Sequence, residues 1–429
     1  MRRCFDLLYL VALLLLSPWL LIRAWRTGRY RQGLRDKLRG LDVDVPTGGV
    51  WFHGVSVGEI HVLRQLVPAF RQAYPHLPVV LSATTDTGLA EARKLFPDLT
   101  VIPFPFDFSW AVERTLRRVR PALVVLCESE LWPNFLLTAR QLRVPVAVVN
   151  GRMSPRSLGR YRLVAGLVRH LFGRLDLIAV QEDEYAAAML SLGGVPGRVL
   201  VTGNIKYDGA ATDRDNSRTR AMRDRFVIEP TSLVWVVGST QAPEEEVALA
   251  IYHKARARFP TLRLFLVPRQ PDRFDEVARL IEKQQIAFAR RSQMGDDPCD
   301  APVVLVDTIG ELGAIWGLAD VAYVGGSLDG KRGGQNMIEP AAYGAAVTFG
   351  PHVWNFRQTA RRLVEVGGAY QVDTAAELEQ TTLRLLADGE ERQAIGRQAR
   401  AFVLRQQGAT RRTVELLGKL LPVAAEQAA

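Results

Sequence analysis

The sequence predicts an α/β protein built from two parallel, doubly wound domains. Three observations carry this. Short β-branched apolar runs alternate with helical stretches from Pro46 onward. The alternation stops at a polar stretch, Asp208 to Asp224, and then begins again. The 429 residues also exceed what one hydrophobic core ordinarily holds. Strands that are apolar on both faces belong in a parallel sheet covered by helices on each side. Ligands of such sheets sit at the carboxyl ends of the strands, here in a cleft between the two domains.

Composition supports a folded, globular chain, with 48% apolar and 23% charged residues. Cys4, Cys127 and Cys299 are too few and too scattered for a disulfide framework or a zinc site, which fits a reducing compartment. The net charge of +10 is concentrated at the start, where residues 1–40 hold nine Lys or Arg against two Asp. The remainder is nearly balanced, so the basic pI makes no case for nucleic acid.

Taken in order, Cys4 to Ile22 is almost continuously apolar and about the ~20 residues long that a bilayer-crossing helix needs. It lacks a small-x-small cleavage site and runs into seven positive charges, which would keep the bulk of the chain in the cytoplasm. Asp6 and Pro18 weaken a span, and a helix lying in the interface is the alternative. Residues 1–40 are therefore expected to form a membrane anchor with a basic juxtamembrane segment.

The first domain is expected over 46–207. Its strands are read at Val50 to His53, Val79 to Ala83, Val101 to Phe106, Ala122 to Leu126, Val144 to Val149, Leu177 to Val180 and Val199 to Val201, with a helix at Leu158 to Leu175 among those between. Residues 208–230 read as a linker. The second domain, 231–429, repeats the pattern with strands at Val234 to Val237, Leu262 to Val267, Val303 to Val306, Val321 to Val324 and Ala345 to Phe349, and ends in helices. Both domains are Rossmann-like in this pattern.

The densest chemistry lies between Asp320 and Phe356. Gly325-Gly326 closes a strand, Gly333-Gly334 follows, and Asn336 precedes a helical run, Met337 to Tyr343, that carries Glu339. Two glycine pairs with free backbone N–H groups before a helix N-terminus suit an anion, and a glutamate one turn in suits sugar hydroxyls; ordinary strand-to-helix turns read the same way. Glu59, after Ser56-Val57-Gly58, is either a general base at the mouth of the cleft or half of a capping box. Glu128 and Glu130 can hold sugar hydroxyls, or Ser129 and Glu130 can cap the next helix. Ser239 closes the first strand of the second domain. Arg152, Lys206 and Arg269 all follow strand ends, where three cations together favour an anionic ligand over solvation.

These stretches together resemble the 3-deoxy-D-manno-octulosonic acid (Kdo) transferases of lipopolysaccharide biosynthesis. The matching segments run in order through SVGE at 56–59, ESELWPN at 128–134, NGRMS at 150–154, GNIKYD at 203–208, GST at 238–240, VPR at 267–269, DTIGEL at 307–312, ADVAYVGGSL at 319–328 and GPHVWNF at 350–356. The resemblance implies a glycosyltransferase of the B-type fold that moves Kdo from CMP-Kdo to the acylated glucosamine disaccharide precursor of lipid A, with inversion. It implies Glu59 as general base, with no metal and no cofactor beyond the CMP-Kdo donor substrate. Gly325, Gly326, Ser327, Asn336 and Glu339 would surround the CMP phosphate and ribose, and Arg152, Lys206 and Arg269 would be candidates for the phosphate and the Kdo carboxylate. Its partners would be the donor, the lipid A precursor and the inner membrane surface, with the catalytic domains on the cytoplasmic side.

The chain departs from the pattern where histidine is expected, having Gln241, Gln270 and Gln335 instead. Glutamine can hydrogen-bond to a phosphate but carries neither proton nor charge near neutral pH. Two other readings share the fold: a nucleotide-sugar epimerase, or a non-catalytic membrane-bound nucleotide-sugar binder.

Overall fold

The computed structural model describes residues 2–27, 33–128, 131–295 and 297–422; Ser129 and Glu130 lie outside the described residues, as do the side chains of residues 16 and 18–27. Two compact units are present. The first runs to Gly209 and takes up the chain again from Gln407; the second is Ala210–Gln406. Among the described residues each carries a seven-stranded sheet, and every pairing within it is parallel.

The strands of the first sheet are β1 (Val50–Gly54), β2 (Val79–Ala83), β3 (Thr100–Pro103), β4 (Leu123–Cys127), β5 (Val146–Gly151), β6 (Leu177–Val180) and β7 (Val199–Val201), in the order 3-2-1-4-5-6-7. Alternate residues feed two cores. Phe52, Leu81, Val125 and Val149 pack on one face, and Trp51, Val80, Val124 and Val148 on the other. This double burial is why the strands read as unbroken apolar runs.

The second sheet comprises β8 (Leu233–Thr240), β9 (Leu262–Pro268), β10 (Phe288–Arg290), β11 (Val303–Leu305), β12 (Val321–Val324), β13 (Ala346–Phe349) and β14 (Ala369–Gln371), in the order 10-11-9-8-12-13-14. The outer strands β10 and β14 were not foreseen. Each has three residues at a sheet edge and is not fully buried, so neither leaves an apolar run in the sequence.

Three expectations are corrected. The polar stretch after Asp208 is not all linker, because Ser217–Arg225 is a helix of the second unit. Asn216 caps it through the Thr219 amide at 3.0 Å, and the buried Thr219 hydroxyl donates to Ala314 O. The helical run at 158–175 divides into Pro155–Leu163 and Ala165–Phe172, because Val164 leaves the helical region at φ −121°. The last helix, Ala409–Gly418, belongs to the first unit rather than the second. Asp208 secures its start by accepting from the amides of Gly408 and Thr410, while Val414 and Leu417 enter the core built on Phe52 and Leu81.

The N-terminal helix, Arg2–Thr27, is docked on the first unit by one polar face. Arg2 pairs with Glu113 at 2.7 Å, and Asp6 accepts from the Ser109 amide and from Asn134 Nδ2. Tyr9 donates to Asp107 at 2.9 Å. The spacing of 2, 6 and 9 is one helical stripe. Leu7, Leu8, Leu14 and Leu15 on the rest of the surface are 60–77% exposed. Among the described residues no helix is long and apolar enough to cross a membrane, so the transmembrane helix expected at Cys4 to Ile22 is not found.

Asp107 also caps the helix Pro133–Gln141, accepting from the amides of Asn134 and Phe135 at 3.0 and 2.8 Å. Burial pushes its carboxyl up to about 7, outweighing these donors. The native state therefore holds the Asp107 proton more tightly than the unfolded chain does. That contribution is complete below the ordinary carboxylate range and is lost as pH rises through about 7. Melting temperatures measured between about pH 5.5 and 8.5 should fall more steeply with pH in the parent than in Asp107→Asn. Parallel slopes would contradict the assignment.

Candidate active site

Parallel pairing brings the carboxyl ends of β1, β4 and β5 side by side in the first unit. Gly54 ends β1, and a Cβ there would sit 3.1 Å from the Cβ of Glu59. Glu59 enters in the first turn of the helix Val57–Ala73 and is buried. Its carboxylate accepts from the Val55 amide at 2.6 Å and the Ser56 hydroxyl at 3.2 Å. The capping box anticipated from the sequence does not form, since the Ser56 side chain accepts from no helix amide; Glu59 instead takes the Val55 amide and the Ser56 hydroxyl, which orient it.

Glu128 follows β4 with φ +62°, a conformation rare for a residue with a side chain. This turns its buried carboxylate toward two of the predicted cations. Arg152 Nε donates to it at 2.8 Å, and Lys206 Nζ lies 3.9 Å away. Asn150, at φ +54°, accepts the Ile205 amide and so ties the end of β5 to the segment carrying Lys206. Glu59, Glu128 and Lys206 all act on the buried Cys127 thiol, which burial and the two carboxylates push well up and the lysine pulls down. His53 donates nothing to this group: it stacks on Phe104 and shares a hydrogen bond with Ser82, and burial pushes it down to about 3, so it is neutral.

In the second unit the loop after β12 differs from the expected anion cradle. The Gly325 amide donates to Gly238 O, and those of Gly326, Ser327 and Leu328 donate to the carboxylate of Glu244 at 2.7, 3.0 and 3.1 Å. These N–H groups are thus engaged by the protein's own acid. Gly325 is required because a Cβ would stand 2.7 Å from Glu244 Oε2. The Tyr323 hydroxyl and the Gln241 amide complete the shell of Glu244 at 2.9 Å each. Burial pushes this carboxyl above its usual range, and its donors pull against that shift.

Ser327 is also internal. Its hydroxyl donates to Val324 O at 2.7 Å and accepts from the Gly350 amide at 2.8 Å, with the residue fully buried. The helix after Asn336 is only Ile338–Ala342, too short to offer a substantial dipole. Asn336 and Glu339 are half-buried and joined at 2.9 Å. Gly333, at φ +82°, has no room for a Cβ beside the Trp354 indole, and Asn355 donates to Arg332 O, so the GPHVWNF stretch braces this loop.

The end of β8 supplies what the glycine loop does not. Ser239 has φ +58°, and the buried Thr240 Oγ1 and Gln241 Nε2 that follow have no hydrogen-bond partner among the described residues. Arg269, exposed after β9, places its amide on Thr240 O at 3.1 Å. Gln270 accepts from Arg332 at 3.4 Å, and Gln335 Nε2 lies over Gly326. Two of the three glutamines thus touch the glycine loop, and the third holds an unpartnered donor.

The family model of the 3-deoxy-D-manno-octulosonic-acid transferases (kdotransferases) matches residues 24–209. The chain is 33% identical over 422 residues to the 3-deoxy-D-manno-octulosonic acid transferase of Haemophilus influenzae, covering 95% of this chain and 97% of that protein. It belongs to the 3-deoxy-D-manno-octulosonic acid transferase family. The transferase is 35% identical to the Bordetella pertussis member, across 95% of its own length and 98% of its relative's. Like them it is a glycosyltransferase. Among solved structures, the UDP-GlcNAc 2-epimerase from Neisseria meningitidis bound to UDP-GlcNAc matches 86% of the transferase with a TM-score of 0.59 and 13% identity, over 100% of that chain. At that identity the likeness is one of fold.

Of the predicted site residues, Arg152 and Lys206 are brought together with Glu59 at the strand ends of the first unit, and Asn336, Glu339, Gln335, Ser239 and Arg269 lie at those of the second. Gly325, Gly326 and Ser327 line the latter edge without the free amides or hydroxyl expected of them. Glu130 lies outside the described residues. Sequence reasoning gave no role to Glu244, visible only as part of an acidic helix start, because three of its five partners, the amides of Gly326, Ser327 and Leu328, are more than eighty residues away. Ser327→Ala should lower the unfolding free energy by about 1–3 kcal/mol, since it leaves the buried Gly350 amide unpaired. Urea unfolding followed by circular dichroism measures this; an unchanged midpoint would contradict the internal role.

Proposed function

We propose that the transferase moves Kdo from CMP-Kdo to the acylated glucosamine disaccharide precursor of lipid A, with Glu59 as general base and no resident cofactor. The acceptor hydroxyl oxygen attacks the anomeric carbon as its proton passes to Glu59. The bond to the phosphate oxygen breaks and CMP leaves with the electron pair, inverting the centre. One observation carries the assignment of the base: in a chain of this family, Glu59 stands at a strand-end edge, buried, with its carboxylate oriented by the Val55 amide and Ser56 hydroxyl. The two donors set the direction of the carboxylate, which a general base needs.

Arg152 and Lys206, ordered by Glu128, suit an anionic group such as the Kdo carboxylate. In the second unit Asn336 and Glu339 suit the ribose hydroxyls, and Arg269 with the unpartnered donors of Thr240 and Gln241 suits the departing phosphate. The lipid-linked acceptor favours a membrane-associated enzyme on the cytoplasmic side of the inner membrane. The exposed leucines of Arg2–Thr27, opposite a docked polar face, favour a helix lying in the interface.

Incubation with CMP-Kdo generated in situ and tetraacylated precursor, followed by mass spectrometry, should yield Kdo adducts whose mass counts the sugars. Glu59→Gln should slow formation by ~10²–10⁴-fold. A variant within a few-fold of the parent would remove Glu59 as base, and no product from the parent would remove the reaction. With glutamine at 241, 270 and 335 and a neutral His53, the pH–rate profile should show an acidic limb without a histidine limb near about pH 6.5. Such a limb would contradict this reading.

A further inference from the structure

Five donors converge on one carboxylate in the second unit: the amides of Gln241, Gly326, Ser327 and Leu328 and the hydroxyl of Tyr323. Successive amides pointing into one concavity form an anion nest. Here the anion is Glu244, 1% exposed. The turn it closes also holds the next segment, since the Gly334 amide donates to Gly326 O at 2.8 Å, and Asn336 follows directly.

We propose that Glu244 is a positioning residue for donor binding: its carboxylate is a built-in anion that locks the turn at 326–328, sets the loop that delivers Asn336 and Glu339, and keeps the donor phosphate out of that nest. This rests on the reading of the second unit as the donor site. The geometry separates the two roles that a glycine-rich strand end can serve. A phosphate needs unpaired N–H groups, and the three here already face a carboxylate at hydrogen-bond distance. Removing that carboxylate leaves buried donors unpaired in a loop with glycines at φ +66°, +82° and +77°, which other conformations can then claim.

The test is calorimetric binding of CMP to the full chain, to Glu244→Gln and to Glu244→Ala, at a temperature where circular dichroism shows each folded. Glutamine keeps the size but places an NH₂ group against N–H donors, and alanine opens the nest. Both should weaken CMP by about tenfold or more. Sodium formate, against chloride at equal ionic strength, should restore the alanine variant and leave the parent unchanged. Parent-like affinity in both variants overturns the proposal, and so does weakened affinity that formate fails to recover, because a general loss of stability has no need of a carboxylate. If the alanine variant does not fold, the glutamine variant decides by its CMP affinity. No CMP binding by the parent overturns the donor reading and the proposal with it.

Discussion

Parallel pairing is the constraint on which the rest depends. Every strand of each described sheet runs the same way, so its carboxyl ends share one edge. At that edge the backbone must turn sharply into a loop or helix. It does so through residues in the left-handed region, Glu128, Asn150 and Ser239 among the non-glycines and Gly326 among the glycines. The three non-glycines carry strain that the surrounding hydrogen bonds must offset, whereas Gly326 adopts that region freely.

Internal carboxylates organise both edges, in opposite senses. In the first unit Glu128 gathers cations, so that Arg152 and Lys206 stand ordered beside it. In the second Glu244 gathers backbone amides, so that a turn which would otherwise attract an anion is already filled. Glu59 is a third variant, its carboxylate held by the residues that lead into its own helix. A carboxylate held by N–H groups of a fixed turn loses little orientation on binding a partner, which is the useful property of a preorganised site.

The N-terminal helix shows how a few polar residues alter the meaning of an apolar segment. Asp6 reads as a weakness in a membrane span, yet it is buried and bonded to Ser109 and Asn134. With Arg2 and Tyr9 it ties the start of the helix to the first unit. The aliphatic residues between them are left outward.

The sequence by itself determined the class of the fold and the place of its strands. Doubly buried strands must be unbroken apolar runs, and a parallel sheet must alternate them with helices. That Ser56 and Glu59 lie close was legible from their spacing, though they bond to each other rather than capping the helix. Only the tertiary structure decided what depends on distant partners. The short edge strands Phe288–Arg290 and Ala369–Gln371 exist because a neighbouring strand offers them hydrogen bonds. The last helix joins the first unit because Asp208 and the core beside Phe52 receive it. The glycine at 325 makes room for a carboxylate from another helix rather than for a ligand. A glycine records in the sequence that something approaches closely, and folding decides what that is.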